Sequence, residues 1–202
     1  MRPPFMDALD AILARRSIGR LVEPGPARHD LERILEAAAA APDHGELAPW
    51  KFVVLEGQAK EAFGTVLADA YVERCASMGA APTEGQLAKE RTKLGRAPVV
   101  LVVAAVHRHS ERIPWEEQFA SAAAAAQNAL VAATALGYGS MWRTGDAAFD
   151  LNVKEALGLG PHDSIVGFLY LGTPAEGSAK PPRQPNLHGP RLDAVVERWE
   201  PR

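Results

Sequence analysis

No apolar stretch in this sequence is long enough to cross a bilayer. The longest, Val99 to Val106, falls far short of the roughly 20 apolar residues that a spanning helix requires. The N-terminal stretch Met1-Arg-Pro-Pro-Phe-Met-Asp7 lacks the apolar centre of a secretory signal. These two absences lead to the expectation of a soluble, cytoplasmic protein. Cysteine is all but missing: Cys75 stands alone, so no intrachain disulfide can form, which fits a reducing compartment. A basic excess is missing too. The formal net charge is −3, without the electrostatic footprint of a nucleic-acid binder.

Signature motifs are equally scarce. There is no GxxxxGK[ST] phosphate loop, no GxSxG nucleophile elbow and no HExxH pair. Gly137-Tyr138-Gly139 begins like a dinucleotide fingerprint, but Trp142 occupies the place of its third glycine. It also precedes a predicted strand instead of opening a helix, so the Rossmann reading fails. His107 and His109 alternate at a strand end with no Cys or His cluster nearby. They read as solvated loop histidines in preference to a metal site. An enzyme built on this chain has to borrow its chemistry from a cofactor.

What is present is ample core material. Hydrophobic residues make up 47% and charged residues 23% of 202 positions, enough for one domain with a full core and no metal or disulfide staple. Met6, Leu9, Ile12 and Leu13 recur at helical spacing and predict a helix over 7–16. Leu31, Ile34, Leu35 and Ala38 predict a second, stopped by Pro42, with a loop over 43–49 and a strand over 50–55. Helical pattern returns over 59–78 and 84–94, before a valine-rich buried strand over 99–106 and a polar loop over 107–114. A long helix over 115–136 carries Ser121-Ala-Ala-Ala-Ala-Ala126, small side chains that let another element approach closely. A strand over 138–142, a short helix over 150–157, a strand over 164–171 and a final helical turn or two over 192–199 complete the pattern. Helices interleaved with few strands give an α+β or α/β domain with more helix than sheet.

Arg15-Arg16-Ser17 sets two guanidiniums and a hydroxyl side by side at a helix end. Such a group can grip a phosphate through charged, partly bidentate bonds. Arginines in a last helical turn also simply complement the helix dipole. Trp142-Arg143-Thr144-Gly145 ends a predicted strand with a guanidinium, a hydroxyl and an unobstructed backbone N–H. The alternative there is a buried tryptophan and an ordinary turn. His44 sits with Asp43 in a loop, where a histidine is usually a surface residue.

Taken in order, four stretches resemble the nitroreductase family, most closely its small YdjA-like subgroup. They are Arg15-Arg16-Ser17-Ile18-Gly19-Arg20, then Ala41-Pro42-Asp43-His44 leading to Pro49-Trp50 and Lys51-Phe-Val-Val54. Gly137-Tyr-Gly-Ser-Met-Trp142-Arg143-Thr144-Gly145 and Ile165-Val-Gly-Phe-Leu-Tyr-Leu-Gly-Thr173-Pro174 follow. The match runs from about Met6 to Pro174.

The resemblance implies an α+β fold, a mixed sheet surrounded by helices, with the long helix at a homodimer interface. It implies FMN as cofactor and NADH or NADPH as reductant. Arg15, Arg16 and Ser17 would hold the phosphate and ribityl chain, while Arg20 braces the loop. Ala40 and His44 would reach the flavin bound by the other subunit. Trp142, Arg143 and Thr144 would form the second anchor, with Arg183 a further tail candidate. The wider family often has Ser or Asn early in the loop and Gln before Pro-Trp; here stand Asp43-His44 and Ala48, which removes an amide contact. The implied activity is ping-pong hydride transfer through flavin N5 to a nitroaromatic, quinone or similar acceptor, with no catalytic side chain. Relatives on the same fold perform dehalogenation, azoline oxidation or flavin breakdown, and a non-catalytic flavin-binding dimer is the other alternative.

Overall fold

The valine-rich run forms the middle of a sheet. In this computed structural model, which describes residues 6–181, 194–199 and 201, strand β3 (Val99–Ala105) is buried along its whole length. Its side chains alternate between two apolar layers: Val100, Val102 and Ala104 on one side, Val99, Leu101, Val103 and Ala105 on the other. A continuous apolar run is what a strand covered on both faces requires.

β2 (Trp50–Glu56) pairs with one edge of β3 and β5 (Ser164–Pro174) with the other. β4 (Gly139–Arg143) pairs with β5, as does the short β1 (Leu21–Val22) at the end of that strand. All of these ladders are antiparallel, and the sheet's parallel component is a single bridge between Ser17 and Ser140. One face is covered by α3 (Gly57–Ser77) and α6 (Leu151–Ala156), with α4 (Glu84–Thr92) packed against α3. The other carries α2 (Arg28–Ala39) and α5 (Trp115–Ala135), with α1 (Ala8–Ala14) against α5. On α5, Ala122, Ala125, Ala126, Ala129 and Ala133 are all at 0% exposure. Their methyls let the helix lie close against the sheet and α2.

Local chemistry sets the element ends. Asp7 accepts from Leu9 N–H at 2.9 Å to start α1, and Thr83 with Gln86 forms a reciprocal capping box at α4. Asp150 caps α6 by accepting from the N–H groups of Asn152 and Val153, and the same carboxylate pairs with Arg74 on α3. The α+β expectation and the order of long elements agree with this fold. Local features differ: α1 stops at Ala14, so Arg15 and Arg16 lie past the helix and not in its last turn, and residues 93–96 and 146–148 form short 3-10 turns. β1 is too short to leave a periodic signal; the 43–49 loop contains a 3-10 turn, His44–Glu46; and β5 runs on to Pro174. Of the expected terminal helix, the described residues 194–199 form a turn and irregular chain, not helix. Arg183 lies outside the described residues. Among those residues no helix is long and apolar enough to cross a membrane.

Candidate functional site

The chain leaves α1 at Arg15, whose N–H still donates to Ala11 O at 3.0 Å. Arg16 Nη1 then donates to the carbonyl of Pro181 at 2.6 Å. Ser17, exposed, bridges to Ser140 on β4, and Ile18 N–H donates to Ser140 O at 2.9 Å. The segment after β5 folds back along this stretch. Ala175 N–H and Ser178 Oγ donate to Arg20 O at 3.1 and 3.2 Å, and Lys180 Nζ donates to Ser17 O at 2.8 Å. Arg20 therefore serves through its carbonyl as the tail's anchor. Lys180 is a cation beside Ser17 that sequence reasoning missed; the available signal was a basic residue soon after the last strand.

At the far end of β4 the side chains part company. The Trp142 indole enters the α2–α5 layer, where Nε1 donates to Val166 O at 3.1 Å. It can do so because Gly167 has no side chain: a Cβ there would overlap the indole nitrogen. Arg143 and Thr144 turn to the α3–α4 side, where they line a cleft of about 420 Å³. Phe168, Tyr170, Leu67 and Leu94 form its buried floor. Burial pushes the Tyr170 phenol above its ordinary pKa, while the charges of Arg143 and Arg96 pull it back. Arg143 Nε has a sulfur partner, Met141 Sδ at 3.2 Å, and no ion pair among the described residues.

The nitroreductase family model matches residues 12–173. The chain belongs to the nitroreductase family. It is 40% identical over 169 residues to YdjA of Escherichia coli K12, provisionally named an NAD(P)H nitroreductase, covering 84% of this chain and 89% of that protein. A Haemophilus influenzae relative with the same provisional name is 36% identical over 172 residues, 85% and 90% of the two chains. These identities fit a YdjA-like member of the family. Among solved structures, a nitroreductase-like family protein from Bacillus cereus superposes with a TM-score of 0.75 at 21% identity, covering 98% of this chain and 99% of that one. A provisionally assigned nitroreductase from Desulfovibrio desulfuricans, in complex with FMN, gives 0.66 at 25% identity, covering 96% and 98%.

In this nitroreductase chain the other two candidates lie on the α2 side. Ala40 ends α2 and lines an open groove with Ala8, Ile12, Asn128 and Val131. His44 follows in its 3-10 turn, with Nδ1 hydrogen-bonded to Glu117 Oε2 at 2.6 Å. Glu117, in the first turn of α5, was not a sequence candidate. Neither Ala40 nor His44 lines the cleft of Arg143 and Thr144. Ser17 is thus tied to β4, the strand that holds Trp142 and Arg143 and leads into Thr144, with Arg15 and Arg16 just before it in the chain, while Ala40 and His44 stand apart from that cleft.

Proposed function

We propose that this chain is an FMN-dependent oxidoreductase that takes hydride from NADH or NADPH and passes it to a nitroaromatic, quinone or similar acceptor. The observation that carries this reading is the Ser17–Ser140 bridge. It ties a segment rich in cations and hydroxyls to the strand that ends at Arg143, just before Thr144. From Ser140 to Arg143 the extended strand spans about 10 Å at roughly 3.3 Å per residue, so polar donors occur at both ends of one short edge.

The donor set fits a phosphorylated flat ring. Arg15, Arg16 and the Ser17 hydroxyl suit a phosphate, with Lys180 adding a further cation beside them. Arg143 and Thr144 offer a guanidinium and a hydroxyl to the polar edge of a ring. Trp142, its indole engaged with Val166, holds the strand end and has its backbone to offer. When bound, FMN supplies a ring that accepts hydride at N5 and hands it on. The chain's own work is to hold, orient and shield, so no nucleophile or general base is needed. For a nitroarene the balance is one nicotinamide hydride and one proton consumed, with a nitroso product and one water released.

In this reading the active form is a homodimer. Ala40 and His44 act in the partner's site, with Glu117 fixing the His44 ring. Leu9 is 69% exposed and Ile12 49%, and both lie on α1, which flanks the Ala40 groove. An exposed apolar helix face of this kind suits a second copy. The proposed setting is the cytoplasm. Steady-state turnover with NADPH and a nitroaromatic panel tests the proposal. Parallel double-reciprocal lines are expected; no turnover, or intersecting lines, would contradict it.

A further inference from the structure

We propose that the cleft beside Arg143 and Thr144 is an acceptor subsite for a flat aromatic carboxylate, with Arg96 and Lys89 selecting for its charge. This deepens the flavin reading and rests on it for the direction of the chemistry. The cleft's volume, about 420 Å³, lies in the range of small-molecule pockets. Its floor is aromatic and aliphatic, with Phe168 and Tyr170 only 3% and 5% exposed. Its rim is cationic.

Two of the rim's cations are already neutralised: Arg74 pairs with Asp150, and Lys93 with Glu90. Arg96, Lys89 and Arg143 have no ion-pair partner among the described residues, and Asp146 is the remaining acid of the rim. The rim therefore keeps a net positive charge over an apolar base, which concentrates anions at its mouth. Arg96 and Arg143 line the same cleft as Tyr170, and their charges act on its phenol against that of Glu90. That phenol stays protonated at neutral pH and can donate to a carboxylate. Gly64 on α3 lets the Arg91 carbonyl of α4 approach where any side chain would collide, so the backbone that carries Lys89 lies close against α3. A ring carrying one carboxylate fills such a space and meets the charge.

The test is calorimetric titration of FMN-loaded protein with 4-nitrobenzoate and with 4-nitrobenzyl alcohol, its neutral analogue. The carboxylate is expected to bind tighter on the order of tenfold at low salt, the size of one charged hydrogen bond. That ratio should fall toward one in Arg96→Gln and in Lys89→Gln, and as salt is raised. Arg28→Gln, at the start of α2 and 93% exposed, should keep the parent ratio. Equal binding of the two probes by the parent would overturn the proposal. So would loss of 4-nitrobenzoate binding on FMN loading, since the cleft would then be the flavin's own. Displacement of 4-nitrobenzoate by adenosine 2′-monophosphate, with the same sensitivity to Arg96→Gln, would assign the cleft to the reductant and also overturn it. The two readings fail separately. A protein that takes up no FMN yet keeps the charge preference ends the flavin reading and leaves the anion subsite standing.

Discussion

At the scale of single residues, Trp142 shows what spacing can and cannot reveal. Its place after a predicted strand was legible, but the direction of its indole was not. That direction depends on Gly167 of β5, two residues from Leu169, the partner of Trp142 in the β4–β5 pairing, and so on the same face as the indole. Gly167→Ala should therefore cost about 1–3 kcal/mol through overpacking, read as a lower urea midpoint with unchanged slope. An unchanged midpoint would mean the indole moves aside freely. In the proposed function Arg16 and Arg143 hold the cofactor. Arg→Ala at either should weaken FMN binding roughly tenfold to a hundredfold, since a charged hydrogen bond contributes about 1.5–3 kcal/mol. Isothermal titration of the apo-protein measures this. Unchanged affinity in Arg16→Ala would leave Arg16 only the role shown by its bond to Pro181.

At the scale of elements, the pattern was legible where elements were long. The apolar run at Val99 and the alanine helix announced themselves, because a doubly covered strand and a close-packed helix need those side chains. β1 and the 3-10 turn at His44 escaped notice because two or three residues cannot display a period. The fold-back of residues 175–181 was also invisible, since its hydrogen bonds to Ser17 and Arg20 join positions far apart in sequence. The α3–α4 contact makes a sharp test. Alanine normally stabilises a helix interior over glycine by about 1 kcal/mol, but at Gly64 its methyl meets the Arg91 backbone, which cannot rotate away. Gly64→Ala should thus be net destabilising, and a raised melting temperature would refute the packing argument. Asp150→Ala removes both the α6 cap and the Arg74 pair. It should cost about 2–4 kcal/mol in denaturant unfolding.

At the scale of the whole molecule, the family resemblance carried farther than any one motif, because four short stretches kept their order along one chain. It also implied how the candidates divide between two subunits. Ser17 bridges to β4, while Ala40 and His44 lie outside the cleft of Arg143 and Thr144. In the proposed dimer Ala40 and His44 serve the partner's site. Mixing a His44→Ala chain with an Arg15→Ala chain should restore one intact site per mixed dimer. If activity never returns, the shared site is wrong. The central claim, that this chain holds FMN as a redox cofactor, is tested most directly by the visible spectrum of the purified protein. The account predicts a yellow protein with about one FMN per chain that bleaches on anaerobic addition of NADH or NADPH and recovers with an acceptor. A colourless protein that takes up no added FMN would contradict it.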